Sequence, residues 1–194
     1  MEEYDYENYF GRKEKHEHSI RKAGVDARFL LDLKDVRTLN IGSGFTAKKQ
    51  TPHIKEIVCG DISETIVKKL KDEGMEAVCF DARKKWPFKD EEFEQIIAID
   101  IFEHLGQITN FMNELKRVLK KNGLVVIGIP LLNNWRNYLK LILMSTYNVQ
   151  YDEHPRMFFD SDMKRLFSEN GFLLEKKNYL GMKGYGYYHF RCKK

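Results

Sequence analysis

Two glycines one residue apart, Gly42 and Gly44, follow a short apolar run in VRTLNIGSGFT, residues 36–46. Glycine lets the backbone turn sharply and approach a ligand closely. A lone G-x-G says little. An acid about 20 residues later, closing a second apolar run, says more, because its carboxylate can accept hydrogen bonds from both hydroxyls of a ribose. Asp61 stands 21 positions after Asn40 and ends EIVCGD. Asp81 ends the third run, EAVCFD, where a carboxylate can reach the edge of a purine amine. Acids at two successive strand ends beside a glycine loop outline an adenosine pocket without a pyrophosphate. Glu103-His104 follows the fourth run, QIIAID, at the mouth of that pocket. Histidine titrates near neutral pH, so His104 is the base candidate if the chemistry needs one. The alternative is that the pair starts a helix with a packing or hydrogen-bonding role.

The elements that must position these groups follow a regular rhythm. VRTLNI (36–41), EIVCGD (56–61), EAVCFD (76–81), QIIAID (95–100) and LVVIGIP (124–130) read as strands. ISETIVKKLKDEG (62–74) reads as a helix capped by Ser63, with Ile66, Val67 and Leu70 on one face and Gly74 as its stop. ITNFMNELKRVLKKNG (108–123) reads as another, its Phe111, Leu115, Val118 and Leu119 at helical spacing and Asn122-Gly123 as its close. The strands are short and continuously apolar, as strands buried on both faces are. Strands alternating with helices give a doubly wound α/β sheet. A helix over Trp135–Met144, one over 161–171, and strands at 172–179 and 187–192 complete the chain. The aromatic ending GYGYYHF reads as an edge strand and its turn. Residues 1–194 read as one domain, with a helical segment at 1–35 whose FLLDL (29–33) packs on the core.

Bulk properties permit a single well-cored domain of 194 residues. The net charge is +4, from 33 basic and 29 acidic residues. Lys116, Arg117, Lys120 and Lys121 form the densest basic run and fit the solvated end of a helix rather than a nucleic-acid patch. Cys59, Cys79 and Cys192 are widely spaced, and the first two lie in apolar runs, where cysteine acts as a small hydrophobe. That usage points to a reducing compartment, and the acidic, aromatic N-terminus is unlike a signal peptide. A cytoplasmic protein is expected. His16 and His18 lack a third ligand nearby, so no metal site is expected, and Asp90–Glu94 read as a solvated turn. The stripe Trp135, Tyr138, Leu139 and Ile142 has helical spacing. It suits the core, a lid over an apolar acceptor, or a peripheral membrane contact.

The loop, the two acids and two longer segments together resemble the class I S-adenosylmethionine-dependent methyltransferases over about residues 36–180. LNIGSGFT matches the family's LDIGCGxG. WPFKDEEFEQIIAIDIFEHL (86–105) and ELKRVLKKNGLVVIGIP (114–130) are similar to its two longest motifs. The tail, IPLLNNWRNYLKLIL and EHPRMFFDSDMKRLFSENGF, is similar to that of the MetW-like small-molecule enzymes. The resemblance implies a Rossmann-like sheet of seven mostly parallel strands, the last antiparallel, with helices on both faces. It implies S-adenosylmethionine as cofactor, S-adenosylhomocysteine as product and no metal. Cofactor contacts are implied at Asn40, Gly42, Ser43, Gly44, Phe45, Asp61, Ile62, Asp81, Ala82, Ile99 and Asp100. Glu103, His154 and Arg156 fall on the acceptor side, the last two within the acceptor-side segment 131–160.

Two positions depart from the pattern. Asn40 replaces the acid near the methionine amine of the cofactor, and Thr46 replaces a third glycine. The expected function is methyl transfer to a small-molecule acceptor: a metabolite, a sugar or a lipid head group. A nucleic-acid acceptor is disfavoured, because no basic groove with interleaved aromatics is visible. A monomer or a homodimer is expected. One alternative is a weakened cofactor-binding or scaffold subunit, which the two departures would suit. The other is a nicotinamide-dependent oxidoreductase, in which GSGFTA would serve as a loose G-x-G-x-x-A. That reading leaves FDA and IFEHL without a role.

Overall fold

The computed structural model describes residues 33–44, 51–132, 158–180 and 185–194. Seven strands form one sheet: β1 (Thr38–Ile41), β2 (Ile57–Asp61), β3 (Glu76–Cys79), β4 (Phe93–Ile99), β5 (Leu119–Pro130), β6 (Phe172–Leu180) and β7 (Tyr185–Cys192). Their order is β3-β2-β1-β4-β5-β7-β6. The pairs from β3 through β5 are parallel. β7 runs antiparallel to both β5 and β6. The chain thus winds outward from β1 in one direction, returns, and winds the other way from β4. The crevice between the ends of β1 and β4 is where such a sheet accepts a ligand.

Alternation along the strands feeds two faces. Leu39, Ile96, Ala98, Val125 and Ile127 meet Phe111 and Leu115 of α2 (Ile108–Val118) and Phe167 of α3 (Asp160–Glu169) in one core. Ile97 and Val126 join Leu33, Ile54 and Tyr187 in a second cluster. Cys59 packs with Ile66, Val67 and Leu70 of α1 (Glu64–Asp72) in a third. Both faces are covered, so the strands carry apolar residues without alternating polar ones. Ser63 caps α1, its Oγ accepting the Ile66 N–H at 3.3 Å.

Four expectations need correction. The helix expected over 108–123 ends at Val118. Leu119 instead pairs with Phe93 and is wholly buried, and a bulge carries the chain to the Gln95–Leu124 pair. Asn122 lies in that bulge at φ +58°, which asparagine tolerates, so Asn122-Gly123 shapes the bulge rather than closing the helix. The aromatic ending is not an edge: β7 is interior and β6 takes the edge. Burying Tyr187, Tyr188 and Phe190 inside the sheet removes far more apolar area than an edge would. Cys79 is exposed, because β3 is the other edge strand. Arg117 is not a solvated lysine-like charge. It donates to Glu114, to Asp90 and to the carbonyls of Trp86 and Phe88, locking α2 onto the turn before β4. The 1–32 segment, apart from its packing partner Leu33, and the Trp135–Met144 stripe lie outside the described residues.

Candidate active site

The site begins where β1 stops. Gly42 and Gly44 both take positive φ, +65° and +54°, which lets the chain leave the sheet in a tight turn. A Cβ on Gly42 would lie 2.9 Å from Ile101 Cδ1. That contact presses the loop after β4 against the loop after β1. The Gly42 and Ser43 N–H groups donate to the Gly60 carbonyl at 2.8 and 3.2 Å, continuing the β1–β2 ladder past its end.

Asp61 organises this corner. It is 4% exposed. Its Oδ2 accepts the Gly44 N–H at 3.0 Å and its Oδ1 accepts the Ser63 N–H at 3.1 Å. One carboxylate therefore ties the glycine loop to the cap of α1. Ile62 follows, half-buried, with its carbonyl accepting from the Cys79 thiol.

Asp81 is placed two residues past β3 and is engaged by its own chain. Arg83 Nε and Nη2 donate to its two oxygens at 2.9 and 2.8 Å, and the Arg83 N–H adds a third bond. Burial works to raise the Asp81 pKa, but the Arg83 bonds outweigh it and hold it below the ordinary value. Ala82 is buried, and its carbonyl accepts the Trp86 indole N–H at 3.1 Å. Asn40, 3% exposed near the end of β1, has no hydrogen-bond partner for its Nδ2 among the described residues. An unpaired buried amide donor costs about 1–3 kcal/mol, and a bound polar ligand at the strand end would satisfy it.

The end of β4 supplies the other wall. Ile99 is half-buried and Asp100 exposed, with Asp100 at φ +52° and its N–H donating to the Gly128 carbonyl at 3.1 Å. The Tyr185 hydroxyl donates to Asp100 Oδ1. Burial first, then the charges of Asp100 and Glu103, push the Tyr185 hydroxyl far above its ordinary pKa. Glu103 sits in a 3-10 turn, Phe102–His104, at 1% exposure. Among the described residues neither of its oxygens has a hydrogen-bond partner. Burial, reinforced by Asp100, raises its pKa to about 8. His104 closes the turn, half-buried, with its N–H donating to the Ile101 carbonyl at 3.0 Å.

The structure thus gathers Asn40, Gly42, Ser43, Gly44, Asp61, Ile99, Asp100, Glu103 and His104 at the β1–β4 crevice. Phe45, His154 and Arg156 lie outside the described residues. Sequence reading missed Tyr185. Its signal was present in GYGYYHF but needed β7 to run antiparallel, which brings the first residue of that strand, paired with Pro130, to the same sheet end as Asp100. Among the described residues no group of three His, Cys, Asp or Glu side chains could hold a metal ion.

A family model of the methyltransferase domain matches residues 39–127, which hold the glycine loop, both strand-end acids and Glu103-His104. Over those residues the chain is similar to the S-adenosylmethionine-dependent methyltransferases. A protein of Bacillus halodurans assigned as a methyltransferase is similar at 26% identity and a TM-score of 0.64, over 79% of this chain and 70% of that one. A methyltransferase-fold structure from Thermotoga maritima superposes at a TM-score of 0.71 and 18% identity, over 97% and 96% of the two chains. An uncharacterized protein of Methanocaldococcus jannaschii is 30% identical over 64% of this chain, and a second is 29% identical over 50% of it. The matches span 57% and 41% of those relatives' own lengths. The seven-stranded sheet with one antiparallel strand agrees with this family fold.

Proposed function

We propose that this chain transfers a methyl group from S-adenosylmethionine to a small-molecule acceptor. The observation that carries the reading is Asp61, bonded at once to the glycine loop and to the cap of α1 beside the β1–β4 crevice. The cofactor, when bound, supplies an electrophilic methyl on sulfonium, and the protein's task is alignment. Asp61 would hold the ribose hydroxyls, and Asp81 with Ala82 the purine edge. Gly42, Ser43, Gly44, Phe45, Ile62 and Ile99 would line the cofactor, and the orphaned Asn40 Nδ2 suits its methionine end. Asp100 would line the cofactor as well, and Glu103 would stand on the acceptor side with His154 and Arg156 beside it. His104 is the proposed base where the acceptor must lose a proton.

The reading takes residues 1–194 as a single unit working in the cytoplasm, as a monomer or homodimer and without a metal. Among the described residues no helix is long and apolar enough to cross a membrane. A metabolite, a sugar or a lipid head group would fit the acceptor role, the last with a peripheral membrane contact.

Two observations favour a second reading. Arg83 occupies both oxygens of Asp81, and Asn40 lacks the family's charge, as a weakened cofactor-binding or scaffold subunit would show. One structural neighbour, from Haloferax volcanii, was solved in complex with the methyltransferase activator Trm112. Isothermal titration with S-adenosylmethionine and S-adenosylhomocysteine, with NAD as control, separates the readings. Micromolar binding of the first two and none of NAD is expected. Binding of none supports the scaffold, and binding of NAD alone supports the oxidoreductase.

A further inference from the structure

The turn that follows β3 carries an ion pair between near neighbours. Arg83 Nε donates to Asp81 Oδ1 at 2.9 Å and Nη2 to Oδ2 at 2.8 Å, and the Arg83 N–H adds a second bond to Oδ1 at 2.9 Å. Lys84 stands farther out, its Nζ 3.9 Å from Oδ2. Two donors on Oδ1 and one on Oδ2, with two cations facing the group, answer most of its charge.

The main chain of the turn is pinned without the guanidinium. The Lys84 N–H donates to the Asp81 carbonyl at 3.0 Å, the Trp86 indole to the Ala82 carbonyl at 3.1 Å, and Asn110 Nδ2 of α2 to the Arg83 carbonyl at 3.3 Å. The Arg83 side chain is 38% exposed, against 12% for that of Asp81. The arginine can therefore swing into solvent while the carboxylate stays, and an ion pair with one exposed partner is cheap to part.

Asp81 also stands close to the end of β2. Asp61 pairs with Cys79, and the Phe80 N–H carries the ladder on to the Asp61 carbonyl at 2.9 Å. A Cβ on Gly60 would meet the Phe80 ring at 2.3 Å, so the two strands are in tight contact there. The two acids leave adjacent strand ends, as the two halves of one nucleoside require.

We propose that Arg83 sets how the cofactor pocket reads the purine: its guanidinium competes with the 6-amino group for Asp81. This rests on the methyltransferase reading above and deepens it. A neutral amine gains most from a carboxylate whose charge is not already matched. Here it must displace the guanidinium or share the acceptor with it, and its contribution to affinity is cut. A 6-oxo purine, which offers Asp81 no donor at that position, loses correspondingly little beside the cation.

S-adenosylhomocysteine and its 6-oxo counterpart, S-inosylhomocysteine, test this. Each is titrated calorimetrically into the whole protein and into Arg83→Met, which keeps the stem of the side chain and loses its donors. A carboxylate without a competing cation would favour the amino compound by about tenfold or more. Wild type should favour it by less than about tenfold. Arg83→Met should raise that preference at least about threefold, by tightening the amino compound alone. The wild-type comparison stands by itself if the variant does not fold. A wild-type preference of about tenfold or more overturns the proposal, because Asp81 would then read the amine in spite of Arg83. A smaller rise in Arg83→Met overturns it as well and makes the arginine a bystander. Weaker binding of S-adenosylhomocysteine by the variant overturns it in favour of an arginine that holds Asp81 in place for the purine. These three outcomes leave the methyltransferase reading intact. Failure of wild type and variant alike to bind either compound overturns that reading, and the proposal with it.

Discussion

The Tyr185 hydroxyl donates to Asp100, joining residues 85 positions apart. One begins the antiparallel strand and the other follows the central parallel strand. Their bond fixes the rim of the crevice at the point where β4 turns into the Glu103 loop. Asp100 takes a left-handed backbone there, φ +52°, which is uncommon outside glycine though asparagine and aspartate visit it most readily.

Glu103 should make stability depend on pH. Its folded pKa is about 8, against about 4.3 in an unfolded chain. Between those values the folded state holds a proton that the unfolded state has released. Stability therefore falls as pH rises through that window, by up to about 1.4 kcal/mol per pH unit, and levels off above it. The groups that bear on Glu103 are Asp100 from the end of β4 and Tyr185 from β7, and both oppose its ionisation or share in it. Glu103→Gln should gain on the wild type by at least about 1 kcal/mol between pH 6 and pH 9 in urea unfolding. Parallel curves for the two proteins would refute the buried, unpaired placement.

Asp61→Ala should weaken S-adenosylmethionine binding by at least about 1.5 kcal/mol, the worth of a hydrogen bond to a charged group. It also strips the acceptor from the Gly44 and Ser63 N–H groups, so unfolding should become easier by about 1–2 kcal/mol. Titration calorimetry and chemical denaturation read the two effects separately. Unchanged affinity would remove Asp61 from the cofactor site.

Asn40→Asp tests the departure at the end of β1. The position is buried and its Nδ2 has no partner among the described residues. An acid there restores the charge opposite the cofactor's amine, and affinity for S-adenosylmethionine should rise about tenfold, or about 1.4 kcal/mol. A loss of affinity would mean that the amide is matched to what it binds.

Arg117→Lys should destabilise the fold by about 2 kcal/mol although the charge is kept. The guanidinium reaches two carboxylates and two carbonyls at once, and an ammonium cannot span that set. Burial opposes the charge, but the Glu114 bond, the largest influence, raises the Arg117 pKa above its ordinary value. A thermal midpoint unchanged within about 1 °C would show the network to be dispensable.

Much of this molecule was legible before any fold was drawn. The continuous apolar runs over 57–61, 95–99 and 124–130 announced strands covered on both sides, and they are. Ser63 and the Ile66, Val67, Leu70 face marked α1 because capping and helical periodicity are local rules. Gly42, Gly44 and Asp61 could be read as one site because a parallel sheet brings successive strand ends together. The end of α2 was misread, since helical spacing continues through Leu119 while pairing with Phe93 takes that residue into β5. No local rule reports such competition.

The amino-acid sequence by itself determined the winding of the sheet and the spacing of the cofactor loop from its acids, because both follow from short-range patterns. Only the tertiary structure decided what each charge meets. Arg117 drawn into the turn before β4 and Tyr185 arriving at Asp100 both depend on which elements become neighbours. The same holds for Glu103. Its residue type was visible beside His104, but its burial, with no hydrogen-bond partner among the described residues, is a property of the packed fold. Desolvation acts through the surroundings of a group, and those surroundings exist only once the chain has folded.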